Sequence, residues 1–421
     1  MHPNRSIFLL IGIAAAAPIG APAARAGAAG CRDLITSATM ERFLLGADQL
    51  RARGGGKWKK HPPEVIPAFV ADMDFKVAPG VQDALMMFTD TQDYGYGQVT
   101  DTIPLFEAFS TWMARRHHWQ PDPTLSHANT SVVQGLVATL LAFSEPGDSI
   151  IAQTPIYPPF LLTIEGTGRR LVENPLVDNG TRFVVDVEGL KRAAAQASMI
   201  LLCNPHNPTG RVLDRAELEA IATIAANHNL TIVADEIHAD LVYPGATHIP
   251  METIAAAAER TVTLTSATKG FNIAGLRTSI AHFGSPALKD RFDKRLPLHL
   301  LGVPSRIGVA ATIAAWSEAE AWLNDVMRYL DHNRQRVTNW AAHASLGHYP
   351  PEATYLAWMD CRRLDLPEGA TPQQHFLEHA KVALSEGLDF GEPGQGHVRL
   401  NFATSAEILE DILGRLGGAF G

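Results

Sequence analysis

Cysteine is scarce in this chain, with Cys31, Cys203 and Cys361 the three among 421 residues. Three are too few for a disulfide framework, and their spacing is not that of a metal site. A basic excess is lacking too. The 35 Lys and Arg face 44 Asp and Glu, for a formal net charge of −9, which argues against a protein held to nucleic acid by phosphate contacts. A long uninterrupted apolar run is also missing. The apolar stretch from Ser6 to Ile13 gives way to Pro18 and Pro22, so a stable membrane span of about 20 residues is not expected. No internal repeat is visible. What is present, 46% hydrophobic and 19% charged residues, is the composition of ordinary globular domains. The length suggests two or three domains and suffices for a large core without disulfide or metal staples.

The first thirty residues stand apart. Arg5, the short apolar stretch and the mostly small residues from Ala21 to Ala29 resemble a secretory signal, and Ala28-Ala-Gly-Cys31 resembles a lipoprotein cleavage box. A disordered extension is the plainer reading. Residues 1–38 are therefore set aside as an N-terminal extension.

Beyond them the pattern is helical over Thr39–Arg53, with Gly54-Gly-Gly56 ending it. Val65–Val70 is a short apolar run before the turn Asp72-Met-Asp74. Ile103–His117 is helical, with Pro104 suited to a first turn. Apolar strands then alternate with helices: Ser149–Ala152, Met199–Cys203, Leu230–Asp235 and Thr261–Leu264 as strands, Gly135–Phe143 and Glu217–Asn227 as helices. Continuous apolar strands between helices predict an α/β fold whose central sheet is mostly parallel and covered on both faces. Ligands in such sheets lie at the carboxyl ends of strands. After about residue 300 come two long helical patterns, Ile307–Trp316 and Glu318–Val337, then short strands within Glu352–Asp360 and Val398–Phe402. The expected division is a large domain over 90–305 and a smaller α+β domain made of 39–89 and 306–421.

Three polar motifs follow apolar strands: Asn204-Pro-His-Asn-Pro-Thr-Gly210, Asp235-Glu-Ile-His238 and Ser266-Ala-Thr-Lys269. In this order they resemble the fold-type-I pyridoxal-phosphate enzymes, the aspartate aminotransferase superfamily. Val70-Ala-Asp-Met-Asp-Phe75, Tyr94-Gly-Tyr-Gly97, Gln153-Thr-Pro-Ile-Tyr157 and Lys269-Gly-Phe-Asn-Ile-Ala-Gly275 are similar to the MalY/PatB branch of carbon–sulfur β-lyases. The resemblance runs from about residue 40 to the C-terminus. It implies pyridoxal 5'-phosphate as cofactor, an amino-acid substrate and a homodimer. It also makes a cytoplasmic location the expectation, with export the alternative if residues 1–30 act as a signal, because the cofactor is made in the cytosol.

The resemblance assigns roles residue by residue. Lys269 is the lysine that binds the cofactor aldehyde as an imine and, once displaced, takes a proton from the substrate Cα. Asp235 ends an apolar strand, where a carboxylate is costly unless paired; it holds the pyridine nitrogen protonated, although a helix N-cap is the bland alternative. Asn207 meets the phenolic oxygen, as does His238, where many relatives carry tyrosine; a satisfied core histidine is the other reading of His238. Gln134-Gly135-Leu136-Val137 opens a helix after a strand, and its free N–H groups suit a phosphate. Ser266 adds a hydroxyl to that phosphate and Arg277 a bidentate cation. Tyr157 stacks on the cofactor face. Tyr96 reaches the phosphate of the neighbouring subunit. Arg399 grips the substrate α-carboxylate with its planar fork.

No metal is expected: His117-His118 lacks a third spaced ligand, and Asp72 with Asp74 reads as an ordinary acidic turn, Asp72 lying near the site entrance. Two reactions share these residues. One is α,β-elimination of an S-substituted cysteine such as cystathionine, giving thiol, pyruvate and ammonia. The other is amino-group transfer to a 2-keto acid. Arg277 favours transfer, because it matches the aminotransferase pattern where many β-lyases carry a neutral residue. A cofactor-free binding module is the third possibility, and the intact lysine, aspartate and arginine set argues against it.

Overall fold

A computed structural model describes residues 41–297, 301–344 and 346–420. The signal-like segment, the cleavage box and Cys31 lie outside the described residues, and so does the start of the helix expected from Thr39. From Arg42 onward the described residues form one compact unit.

Seven strands build the central sheet: β1 (Ser126–Asn129), β2 (Ser149–Ala152), β3 (Arg170–Glu173), β4 (Met199–Cys203), β5 (Thr231–Asp235), β6 (Thr261–Thr265) and β7 (Ser279–Phe283). Their spatial order is β1-β7-β6-β5-β4-β2-β3. Strands β2 to β6 pair in parallel, whereas β7 is antiparallel to both β6 and β1. β1 therefore points the same way as the parallel strands, and all six present their carboxyl ends at one edge.

The central strands are apolar throughout because both faces are covered. Along β4, Met199, Leu201 and Cys203 join the cluster containing Leu136 and Leu140, while Ile200 and Leu202 join Leu218 and Ile221 on the other face. This is the two-residue alternation of a strand with a helix on each side. Leu136 and Leu140 come from a helix over Val132–Phe143, Leu218 and Ile221 from one over Arg215–Asn227. The latter starts with a reciprocal cap: Asp214 accepts the Glu217 N–H at 3.0 Å and Glu217 accepts the Asp214 N–H at 3.0 Å.

In chain order the helices used below are α1 (Pro79–Thr91), α2 (Ile103–His117), α3 (Val132–Phe143), α4 (Arg215–Asn227), α5 (Arg306–Glu318) and α6 (Glu320–His343). A second, antiparallel sheet of four strands has the order β8-β9-β11-β10, with β8 (Gly347–His348), β9 (Leu356–Asp360), β10 (Ser385–Glu386) and β11 (His397–Asn401).

The early part of the chain is laid against this late sheet. Ile66–Pro67 pairs in parallel with Val382–Ala383. Asn401 donates its N–H to Ala68 O at 2.8 Å, and Asp74 donates to Ala403 O at 2.8 Å. Residues 68–74 are thereby carried to the carboxyl edge of the large sheet. Asp74, buried there, is committed to Lys57 at 2.8 Å and the Trp58 indole at 2.7 Å.

Two local expectations change. Within the described residues the helix expected up to Arg53 is confined to Ala47–Ala52, and Gly56 opens a short second helix, Gly56–Lys59. Of the apolar run Val65–Val70, only Ile66–Pro67 forms a strand. Among the described residues, no helix is long and apolar enough to cross a membrane, and no group of three His, Cys, Asp or Glu is placed to hold a metal ion.

Candidate active site

Where β4, β5 and β6 end, three loops converge on a cavity of about 200 Å³. Of the residues singled out in the sequence, Tyr157, Asn207, Asp235, His238, Ser266, Lys269, Arg277 and Arg399 all line it.

Asp235 closes β5 and is 5% exposed. Its Oδ1 accepts the Ile237 N–H at 3.1 Å. Burial pushes the carboxyl up to about 7, since a low-dielectric site disfavours the charged form. The Ile237 N–H and the Lys269 charge oppose that rise, and neighbouring Glu236 adds to it.

Lys269 follows β6 by four residues. Its Nζ donates to Ala71 O at 2.6 Å, and that carbonyl also accepts the Tyr355 hydroxyl at 2.9 Å. Burial lowers the lysine pKa, against the pull of Asp72, which increases the fraction present as a nucleophilic amine.

Arg399, on β11, is 5% exposed. It donates to Asn207 Oδ1 at 2.9 Å, Phe69 O at 2.8 Å and Ser385 Oγ at 3.1 Å, and lies 4.9 Å from the Phe390 ring centroid. None of these partners is a carboxylate, and Nε has no partner. Burial brings its pKa down to about 10, so the group remains a cation at neutral pH. A buried cation whose charge is left unbalanced by its neighbours suits an anionic ligand.

The same contact orients Asn207. A guanidinium can only donate, so the amide oxygen must face Arg399, which leaves Nδ2 as the donor to offer the cavity. His238 is buried with Nδ1 unpartnered. Burial, helped by the Lys269 and Arg399 charges, brings it down to about 3, and the ring is neutral. Tyr157 caps the helix Pro158–Gly166, and its phenol is raised by burial.

Four expected residues need correction or qualification. Gly135 and Leu136 do not line the cavity. α3 opens at Val132 with Ser131 as its cap, one turn before the glycine, and Ser131 Oγ accepts the Gln134 N–H at 3.1 Å. The amides left without a helical acceptor are thus those of Val132 and Val133, which do line the cavity. Gly135 instead provides close approach to Leu264 and Asn129, and Leu136 is core. Ser266 lines the cavity, but its hydroxyl is already donated within the loop, to Thr278 O at 2.6 Å. Tyr96 lies elsewhere, fully exposed beside a second cavity with Phe88, Tyr94 and Arg306.

Missed altogether were Thr130 to Val133, Thr268, Thr278 and the Ala71 carbonyl. One signal was available for the first group. Ser131-Val-Val-Gln134 before an apolar run is the spacing of a capped helix start, and it places the helix end three residues earlier than the glycine does.

A mostly parallel sheet with this strand order, and a cavity at its carboxyl edge, place the chain in the aminotransferase-like α/β fold class. The family model "Aminotransferase class I and II" matches residues 102–416, and the chain belongs to that family. Cystathionine beta-lyase PatB of Bacillus subtilis is 33% identical over 361 residues, covering 85% of this chain and 92% of that protein. The cystathionine beta-lyase of Corynebacterium glutamicum is 32% identical over 370 residues, covering 88% and 97%. Among solved structures, cystalysin from Treponema denticola, which contains a pyridoxal 5'-phosphate cofactor, is similar with a TM-score of 0.83 at 30% identity, covering 88% of this chain and 96% of that one.

Proposed function

We propose that the protein is a pyridoxal-phosphate-dependent carbon–sulfur β-lyase, which converts an S-substituted cysteine and water into a thiol, pyruvate and ammonia. The observation that carries this reading is one cavity holding a half-buried lysine, a buried acid and a buried arginine with no carboxylate partner. Lyases among the relatives favour elimination over transfer.

The residues present fit the cofactor. When bound, it supplies an aldehyde that condenses with amines and a ring that withdraws electrons from the substrate Cα. Lys269 Nζ would hold the aldehyde, and its lowered pKa suits the same amine to take a proton from the substrate Cα. Asp235 would keep the ring nitrogen protonated, Asn207 Nδ2 and His238 would meet the phenolic oxygen, and Tyr157 would cover the ring. The Val132 and Val133 amides would receive the phosphate with Arg277, and Ser266 could join them only by turning its hydroxyl away from Thr278 O. Arg399 takes the substrate carboxylate, for which its fork and unbalanced charge are suited.

The reading includes a homodimer in which Tyr96 serves the partner's phosphate, and a cytoplasmic location, where the cofactor is made. The competing reading is an aminotransferase, which Arg277 at the cavity edge favours.

Purified protein with cofactor, cystathionine or another cysteine conjugate, and no keto acid should yield pyruvate, ammonia and thiol in equal amounts. Keto-acid-dependent amino transfer without pyruvate would overturn the lyase in favour of the aminotransferase. Borohydride should fix the cofactor on Lys269; an unlabelled lysine rejects both.

A further inference from the structure

Asn207 sits in a loop whose neck is held from outside. Within the loop, His206 N–H donates to Arg211 O at 2.7 Å and Gly210 N–H donates to His206 O at 2.8 Å. Leu213 N–H donates to Asn204 Oδ1 at 3.0 Å. These bonds make residues 204–213 one unit, so whatever fixes 210–212 also fixes Asn207.

The holder is Glu352, which precedes β9. Arg211 Nη1 donates to its two oxygens at 3.0 and 2.8 Å, and Val212 N–H donates to Oε2 at 2.8 Å. Arg182 Nη1 adds a longer bond to Oε1 at 3.4 Å. The next residue continues the clasp, with Ala353 N–H donating to Gly210 O at 2.9 Å. Gly210 has a φ of 70° and lies hard against Pro351. A side chain there would both strain the backbone and strike the proline. The same stretch also grips the chain beyond His238: Tyr243 N–H donates to Glu352 O at 3.0 Å and Thr354 N–H to Leu241 O at 2.8 Å.

We propose that Glu352 is a positioning residue, which by gripping Arg211 and Val212 sets the angle at which Asn207 offers its amide to the cofactor oxygen. Arg399 holds the amide oxygen from β11; Glu352 holds the loop beneath it. The second sheet thus sets Asn207 from two sides. This inference rests on the cofactor reading above. A donor at the cofactor's ring oxygen favours negative charge there, so the neighbouring proton is lost at lower pH. A slackened loop weakens that donor and moves the loss to higher pH.

The test is a pH titration of the visible absorbance of the bound cofactor in the wild type, Glu352→Gln, Glu352→Ala and the exposed control Glu368→Gln. Glu352→Gln keeps size, and each arginine it releases retains a carboxylate: Arg211 with Glu217 at 2.5 Å and Arg182 with Asp214 at 2.9 Å. It should therefore fold even if Glu352→Ala does not. The midpoint of Glu352→Gln should rise by about one unit, the scale of one weakened hydrogen bond to a charged group, while Glu368→Gln matches the wild type. A lower melting temperature with an unmoved midpoint would mean that Glu352 only stabilises the fold, and the proposal falls. If the wild type itself binds no cofactor, the functional reading fails instead, so the two failures are distinct.

Discussion

Asp235 and Arg399 show opposite ways of burying a charge. With no cofactor bound, the Asp235 carboxyl is raised by burial from 3.8 to about 7. A carboxyl raised in the folded state binds its proton more tightly there than in the unfolded chain. That contribution is fully present below the unfolded value, near pH 4, and is lost as pH rises through about 7. Asp235→Asn cannot ionise and still offers an oxygen to the Ile237 N–H. In the cofactor-free protein it should match the wild type near pH 4 and exceed it at about pH 8, by at most about 4 kcal/mol. Denaturant unfolding across that range checks this, and a wild type that is the more stable at the higher pH refutes it. Arg399→Lys keeps the charge but loses the fork. Its kcat/KM for a cysteine conjugate should fall about 100-fold, chiefly through KM, since the contact to a carboxylate persists from ground state to transition state. An unchanged KM in steady-state kinetics would remove Arg399 from substrate binding. Most of the cavity's side chains were legible because each follows an apolar strand. What surrounds Arg399 was not: its lack of a carboxylate partner depends on residues 69, 207 and 385, which only the fold brings together.

The elements that could be read along the chain were those whose environment is uniform. Ser149–Ala152, Met199–Cys203 and Ile103–His117 have the bounds the sequence suggested, because two covered faces demand an unbroken apolar run and a helix an apolar stripe. Strand β3 was not seen. It is a sheet edge with mostly exposed residues, Arg170-Leu-Val-Glu173, so neither pattern marks it. Nor was β7, whose antiparallel place depends on β1 and β6 rather than on its own sequence. The start of α3 was misplaced because glycine drew the helix end to 135, while the cap that decides it is Ser131. Replacing that cap with alanine should cost about 1 kcal/mol. The melting temperature of Ser131→Ala should drop by a few degrees at most, and cofactor binding should weaken, since the Val132 and Val133 amides fray with the first turn. An unaltered affinity alongside a lower melting temperature would separate the cap from the phosphate cradle.

At the scale of the molecule, several large apolar side chains are exposed close together among the described residues. Met87 (60% exposed), Tyr94 (63%), Tyr96 (104%), Val99 (75%) and Ile103 (51%) lie between the end of α1 and the start of α2, and Val303 (60%) precedes α5. Tyr94, Tyr96 and Val303 line the second cavity, which Arg306 shares while paired with Asp93 at 2.8 Å. Scattered apolar residues need no explanation, but a cluster of this kind is costly in water and marks a contact surface. A second copy is the simplest cover, because a two-fold axis lets one patch meet itself. The cluster also holds the tyrosine that the proposed function sends to the other subunit. The mass in solution should therefore be twice the 45.5 kDa of the chain. Tyr96→Ala should remain a dimer, since the rest of the patch persists. Its cofactor dissociation constant should rise about tenfold, the loss of one hydrogen bond to a charged group. Light scattering gives the first quantity and fluorescence titration with pyridoxal phosphate the second. A monomer that binds the cofactor as tightly as the relatives' holoenzymes, or a Tyr96→Ala dimer with unchanged affinity, would leave each site complete within its own chain.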